Sequence, residues 1–155
     1  MDKEAKKKQG RSNRARGKAF ELKVREDLEN NGWTVDKWTN QVLFGIKVGK
    51  KVLKGEVEGQ VPIGYLMPCK PKFNPFTKAL MMNSSGFPDF IAFKQSKDNL
   101  FDLIAVECKI GKYLSEEEKQ KCNWLLNNKK FYKILVASPG EKRGTIIYTE
   151  YNQIK

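Results

Sequence analysis

Two apolar runs joined by a short polar segment dominate the middle of this sequence. The first run covers residues 87–94 and the second covers residues 100–109, with residues 95–99 between them. Runs of this length rich in Phe, Ile and Val are typical of β-strands, and so short a polar connection joins antiparallel neighbours. The second run is apolar on both faces until its end, which predicts a central place in a sheet.

Charged residues stand at the open end of this predicted hairpin. If the turn is centred on Asp98, Asp89 lies opposite Glu107, with Cβ atoms roughly 4.5–5.5 Å apart. Side chains alternate along a strand, so Glu107 and Lys109 share a face while Cys108 points the other way. Two carboxylates this close repel each other unless a cation lies between them. The spacing predicts a site for Mg²⁺, which prefers oxygen ligands and would also take the Cys108 carbonyl.

Such a site favours the hydrolysis of phosphate esters. A metal-bound water is a stronger nucleophile at neutral pH, and the metal polarises the phosphoryl oxygen. Lys109 would hold that water or stabilise charge developing on the phosphate. The alternative from the residues alone is an ordinary turn aspartate and an exposed charge pair of little energetic weight. The Gly86-x-Pro-Asp turn, where backbone can approach a ligand closely, favours the functional interpretation.

Composition limits the partner and the chemistry. The 155 residues include 30 Lys and Arg against 18 Asp and Glu, a formal net charge of +12 that favours nucleic acid as the partner. The chain has no His, which excludes His general-base catalysis and His-ligated zinc. Its 3 widely spaced cysteines are expected as buried or half-buried free thiols. No segment resembles a membrane span or a secretory signal, so we expect a cytoplasmic protein with no membrane partner.

The remaining segments predict a single α/β domain with a mixed central β-sheet flanked by helices. Residues 1–16 are basic and almost without apolar residues, which predicts a flexible arm that either contacts phosphates or is merely solvated. Residues 40–85 are predicted as a β-rich insertion, with one or two hairpins in its first half and a proline-rich irregular or extended connection from Pro62. Periodicity and cap signals predict two helices and three further strands, at 17–31, 115–128, 33–38, 132–137 and 145–151.

The charged motif resembles that of a known nuclease superfamily. Gly86-Phe87-Pro88-Asp89 followed by Glu107-Cys108-Lys109 resembles the PD-(D/E)xK nucleases. Residues 16–33 resemble the opening helix of the archaeal Holliday-junction resolvases within that superfamily. The resemblance implies a restriction-endonuclease-like core, dependence on Mg²⁺ or Mn²⁺ and phosphodiester hydrolysis. It also implies that Glu21 joins the metal ligands and that Gln120 lies near the site.

The predicted function is therefore metal-dependent endonucleolytic cleavage of DNA, in recombination or repair. Branched DNA is expected as a substrate on the resemblance alone, and symmetric cutting of two strands predicts a homodimer. Five basic residues near the site in sequence are predicted to contact phosphates: Arg11, Arg14, Arg16, Lys18 and Lys112.

Three alternatives stay open. The segment between Trp38 and Gly86 is far longer than in compact resolvases, which favours a restriction- or repair-type nuclease acting on duplex or single-stranded DNA. Ser84 and Ser85 stand near the position of a short loop that bears on junction cutting in the resolvases. A non-catalytic nucleic-acid-binding protein would use the positive charge equally well. A protein-interaction module with a solubilising basic tail is the third alternative.

Overall fold

The structure is a computed structural model that describes residues 3–48, 51–53, 63–70, 72–75, 78–81, 86–97, 99–111 and 113–152. These residues form a mixed α/β arrangement with a five-stranded mixed sheet, a three-stranded sheet, a two-stranded sheet and two helices. The helices are α1 (Lys3–Asn30) and α2 (Glu116–Asn127). The strands are β1 (Thr34–Lys37), β2 (Asn40–Val48), β3 (Lys51–Leu53), β4 (Ile63–Pro68), β5 (Lys72–Asn74), β6 (Ala79–Met81), β7 (Phe90–Gln95), β8 (Phe101–Cys108), β9 (Ile134–Pro139) and β10 (Ile146–Glu150).

The five-stranded sheet has the order β1-β7-β8-β9-β10. β7 and β8 form the predicted antiparallel hairpin, and the chain then crosses through α2 to β9, which runs parallel to β8. β1 pairs antiparallel with β7, and β10 pairs antiparallel with β9. The predicted mixed sheet and the predicted central place of β8 are both confirmed.

The register of the central hairpin is the predicted one. Phe90 pairs with Val106, which sets Asp89 opposite Glu107. The predicted strand start at Phe87 is wrong, because the Phe87 amide donates a hydrogen bond to the first residue of β2 instead of to β8. Asp98, the predicted centre of the turn, lies outside the described residues.

α1 begins much earlier than predicted. The helix starts at Lys3, whereas apolar periodicity predicted a start at Gly17. Only its second half has an apolar face, formed by Phe20, Val24 and Leu28, which pack on the sheet. The described side chains of the first half are exposed, and this half is cationic, with Lys, Arg and Ala residues that are good helix formers without any apolar face. The basic segment predicted as an unstructured arm is therefore helical from Lys3 onwards.

The insertion is β-structured, and its first sheet packs on α2. β2 pairs with β3 in one hairpin, as predicted, and its other edge pairs with β4. The proline-rich connection, predicted as irregular or extended, contains three short strands, β4, β5 and β6. Val42 of β2 and Trp124 of α2 belong to one apolar cluster, and a Cβ at Gly64 of β4 would overlap the Trp124 ring.

Two apolar cores therefore lie on opposite faces of the central sheet. One lies under α1, and the other is shared by the sheet, α2 and β2. All three cysteines are free, with Cys69 and Cys122 buried and Cys108 half-buried, as predicted. Among the described residues, no helix is long and apolar enough to cross a membrane.

Candidate active site

Asp89 stands where the chain enters β7, and backbone contacts hold it there. The Trp38 amide donates a hydrogen bond to the Asp89 carbonyl oxygen over 3.2 Å. Three residues earlier, a Cβ at Gly86 would overlap the Trp38 carbonyl oxygen, so the close approach requires glycine. Sequence reasoning predicted that this glycine makes room for a ligand, but it makes room for the connection between β1 and β2.

Asp89 and Glu107 are locked side by side by hydrogen bonds across the hairpin. The Asp89 amide donates to Glu107 Oε2 over 3.1 Å, and the Cys108 amide donates to Asp89 Oδ2 over 2.9 Å. Asp89 is 8% exposed and Glu107 is 5% exposed. The structure thus brings together the two predicted carboxylates and buries both at the end of β8.

Burial makes this pair electrostatically unfavourable when both groups are charged. Burial raises the pKa of Asp89, and the charge of Glu21 raises it further, against the hydrogen bond from the Cys108 amide. Burial and the neighbouring Asp89 raise the pKa of Glu107 to about 8, despite the opposing charge of Lys109. Burial and both carboxylates also raise the pKa of the Cys108 thiol, so this cysteine is not a reactive thiolate.

Lys109 is held between two carboxylates from different elements. Its Nζ lies 3.0 Å from Glu107 Oε1 and 2.5 Å from Glu118 Oε1. Burial alone would lower the pKa of Lys109, but the charges of Glu107 and Glu118 outweigh it and the pKa is raised. The other oxygen of Glu118 accepts a hydrogen bond from the Ser115 amide over 2.8 Å, within the capping box of α2. Lys109 is therefore fixed to the start of α2.

Glu118 is not among the site residues predicted from the sequence, although it contacts Lys109. Sequence reasoning predicted instead that α2 would bring Gln120 to the site, but Gln120 is exposed. The ion pair between Glu118 and Lys109 depends on how α2 docks against β8. The motif spacing contains no signal for that docking.

Glu21 lies beside the carboxylate pair but is bound to a lysine. Glu21 Oε2 is 2.5 Å from Lys37 Nζ, and this ammonium also lies 4.5 Å from the centre of the Phe90 ring. The Lys37 charge lowers the pKa of Asp89, while the Glu21 charge raises it, so both groups act on the same carboxylate. Lys37 was also missed, although it shares a strand face with the buried Val35 and must point towards α1.

The predicted set of metal ligands is only partly assembled. Within the described ranges, no cluster of three or more Asp, Glu or Cys side chains is placed to hold a metal ion. Asp89 and Glu107 are adjacent, while Glu21 pairs with Lys37. Carboxylates repel one another and pair with nearby cations. Here Lys37 and Lys109 supply part of the positive charge that a divalent ion would otherwise provide.

The predicted phosphate-binding residues fall on two sides of α1. Arg11, Arg14, Lys18 and Glu21 are spaced i, i+3, i+7 and i+10, so they line one face of the helix and lead to the site. Arg16 lies on another side, where it lines a cavity of about 290 Å³ with residues that include Ile110 and Thr145. Three further residues considered from the sequence lie outside the described ranges, namely Lys112, Ser84 and Ser85.

Comparison of the chain with protein-family models, with curated proteins and with solved structures found no match. A function must therefore be argued from the buried carboxylate pair, the lysine beside it and the cationic surface around them.

Proposed function

We propose that this chain is a metal-dependent endodeoxyribonuclease with a restriction-endonuclease-like core, related to the PD-(D/E)xK nucleases. The observation that carries the proposal is the buried Asp89–Glu107 pair with Lys109 bound beside it. Two adjacent buried carboxylates with raised pKa values oppose folding when charged, and Lys109 and the backbone hydrogen bonds offset this only in part, since both pKa values stay raised. A bound cation would provide the remaining compensation, and functional sites are where such arrangements are found.

The donors suit Mg²⁺ or Mn²⁺ better than softer metals. Asp89 and Glu107 supply carboxylate oxygens, and Mg²⁺ commonly takes one or two carboxylates while keeping water or substrate phosphate as further ligands. Glu21 would join them on release from Lys37, and the Cys108 carbonyl is the predicted fourth donor. When bound, such a metal would polarise the phosphoryl oxygen and lower the pKa of a bound water.

Lys109 contributes through its fixed position. Its ammonium is held by Glu107 and Glu118 within reach of the carboxylate pair, so it is ordered before a substrate arrives. In the proposed reaction it holds the attacking water or stabilises charge developing on the phosphate. Glu118 acts as a positioning residue, because it touches Lys109 rather than the carboxylate pair.

The proposed substrate is DNA, because the surface beside the site is cationic. Arg11, Arg14 and Lys18 project from the face of α1 that ends at Glu21, and contacts of this kind bind phosphates without reading sequence. Branched DNA is one proposed substrate. Its symmetric cleavage needs two active sites, so a homodimer belongs to that version of the proposal.

A non-catalytic nucleic-acid-binding protein is the second candidate function. It is favoured by the ion pair between Glu21 and Lys37, which leaves only two carboxylates side by side. The two candidates share salt-sensitive binding to DNA and differ in whether a phosphodiester bond is broken.

The deciding experiment is cleavage of end-labelled DNA in Mg²⁺ and in EDTA. The substrates are a four-way junction, its matching linear duplex and a single strand. We expect cutting by the wild type in Mg²⁺ only, and at least a ~100-fold loss of rate in Asp89→Asn. Asp102→Asn is the matched control, because Asp102 is an exposed aspartate at the other end of the same hairpin.

Each outcome separates the candidates. Cutting of the junction alone supports a resolvase, and cutting of the linear substrates supports a restriction- or repair-type nuclease. Salt-sensitive binding without cutting of any substrate supports the non-catalytic candidate.

A further inference from the structure

A cavity of about 460 Å³ opens between α2 and the central sheet, close to the carboxylate pair. Its floor is made by two neighbouring strands, and the segment before α2 borders it. The lining residues used below are Val136, Ser138, Ile147, Thr149, Tyr113 and Leu114.

Strand pairing sets the distance of this cavity from the site. Val136 is the register partner of Glu107 in the parallel β8–β9 pair, and neighbouring strands lie about 4.8 Å apart. Paired residues point to the same face of a sheet, so the Val136 part of the floor lies one strand spacing from Glu107. The Lys109 amide donates to the Ala137 carbonyl oxygen over 2.8 Å, which keeps the two strands paired up to this point.

The floor of the cavity combines two apolar side chains with two that carry a hydroxyl group. Across the β9–β10 pair, Val136 lies opposite Thr149 and Ser138 lies opposite Ile147, so these four side chains form one patch. Tyr113 borders the patch and is 85% exposed. An exposed aromatic ring beside a floor of apolar and hydroxyl groups can bind a flat heterocycle, which stacks on the ring.

The far side of the cavity is fixed by hydrogen bonds. The Tyr151 hydroxyl lies 3.0 Å from Asn123 Oδ1 of α2, and the Tyr151 amide donates to the Ile134 carbonyl oxygen over 2.8 Å. The end of β10 is therefore tied both to α2 and to the sheet. The space between them exists before any ligand binds.

We propose that this cavity holds an unpaired nucleobase of the nucleotide next to the phosphate at the Asp89–Glu107 pair, with Tyr113 stacking on the base. The inference rests on the proposed nuclease function and deepens it by defining the substrate class. A base in a duplex must leave its stack to enter such a cavity, and this unstacking costs free energy. Single strands, flaps and junction cores offer an unpaired base without that cost and are the preferred substrates.

Binding without catalysis tests the cavity apart from the chemistry. Fluorescence anisotropy in EDTA measures the affinity for a single-stranded oligonucleotide of roughly 12 nucleotides, within the range that single-strand binders cover. A series of the same oligonucleotides carries one abasic residue at successive positions, and a matching duplex is measured beside them. We expect the duplex to bind more weakly than the single strand and one abasic position to weaken binding about tenfold.

Tyr113→Ala and Ile147→Trp alter the cavity in different ways. Tyr113→Ala removes the ring and should weaken binding about tenfold, whereas Tyr113→Phe keeps the ring and should bind like the wild type. Ile147→Trp fills the space and should weaken binding to a similar extent. Tyr132→Ala is the control, because Tyr132 is also an exposed tyrosine and does not line this cavity. Thermal unfolding by circular dichroism verifies that all variants are folded.

The outcomes distinguish the cavity from the function. If the base stacks on Tyr113, the loss of affinity caused by the abasic residue must disappear in Tyr113→Ala. If the wild type cuts DNA but Tyr113→Ala and Ile147→Trp bind as tightly as the wild type, the cavity proposal is wrong and the nuclease proposal stands. If the wild type neither binds nor cuts any oligonucleotide, both proposals are wrong.

Discussion

The two ends of the β7–β8 hairpin distribute charge and apolar surface in opposite ways. At the open end, Asp89 and Glu107 are buried. At the turn end, Leu100 is 68% exposed and Phe101 is 61% exposed. One continuous register joins the two ends, so the contrast does not come from a change in pairing. Burying charge and exposing apolar groups both oppose folding, but only the burial of charge is costly enough to need an explanation.

At the turn end, the exposed Phe101 ring has an aromatic partner, and the neighbouring Lys94 is hydrogen-bonded. The Phe101 ring meets the Phe93 ring edge to face, with 6.4 Å between centroids, and Lys94 Nζ donates to the Asn31 carbonyl oxygen over 2.9 Å. Cross-strand pairs of this kind contribute a few tenths of a kcal/mol to about 1 kcal/mol. The turn end should therefore tolerate substitution, and the open end should not.

The largest expected contrast is between two lysines of the hairpin. Lys109→Met keeps the aliphatic stem but removes the charge beside Glu107, and cleavage should slow by roughly 100-fold. Lys94→Met removes an exposed charge at the turn end and should leave the rate within about twofold of the wild type. Single-turnover cleavage of the best substrate measures both. Equal losses in the two variants would contradict the special role of the open end.

The stability of the protein should depend on pH through Glu107. Its pKa is raised from 4.5 to about 8, so between these values the folded protein retains a proton that the unfolded chain loses. The contribution of Glu107 to the free energy of unfolding should therefore be greatest below pH 4.5 and decline as pH rises to about 8, by at least about 1 kcal/mol.

Urea unfolding at several pH values measures this decline. Glu107→Gln is neutral at every pH and should remove most of it, whereas Asp102→Asn at the turn end should not. A decline of unchanged size in Glu107→Gln would show that another group is responsible. Divalent metal should reduce the decline in the wild type, because it compensates the charged carboxylates.

A smaller effect is expected from Glu118, which positions Lys109. Glu118→Gln removes the negative charge while retaining a side chain that completes the capping box, so α2 should stay intact. The turnover rate should fall roughly tenfold with little change in KM, since the geometry of Lys109 is loosened. Glu117→Gln is the neighbouring control, because Glu117 pairs with Lys121 instead. A change in KM alone would indicate a role in binding.

The smallest effect is expected from the exposed ring at the turn end. Phe101→Ser should alter the free energy of unfolding by at most about 1 kcal/mol and leave the cleavage rate unchanged. Urea unfolding and the cleavage assay measure the two quantities. A loss of activity would mean that the turn end also takes part in the function, and the contrast between the two ends would then fail.

Local patterns in the sequence were enough for the central hairpin and for α2. The polar connection is short, so only a few registers are available, and the predicted one sets Asp89 opposite Glu107. The capping box at Ser115 marked the start of α2 in the same way. Local patterns failed at α1, where apolar periodicity detects only the packed half of the helix. After Pro62 they predicted only an irregular or extended connection and did not separate it into the strands β4, β5 and β6.

The sequence by itself determined the register of the carboxylate pair, the central place of β8 and the cationic character of the chain. These properties depend on side-chain alternation, on the length of one connection and on net charge, all of which are local or additive. Only the tertiary structure decided that Glu118 holds Lys109, that Lys37 holds Glu21 and that a cavity opens beside Val136. Each of these depends on how a helix or strand docks on the sheet, and docking is set by the packing of residues far apart in the chain.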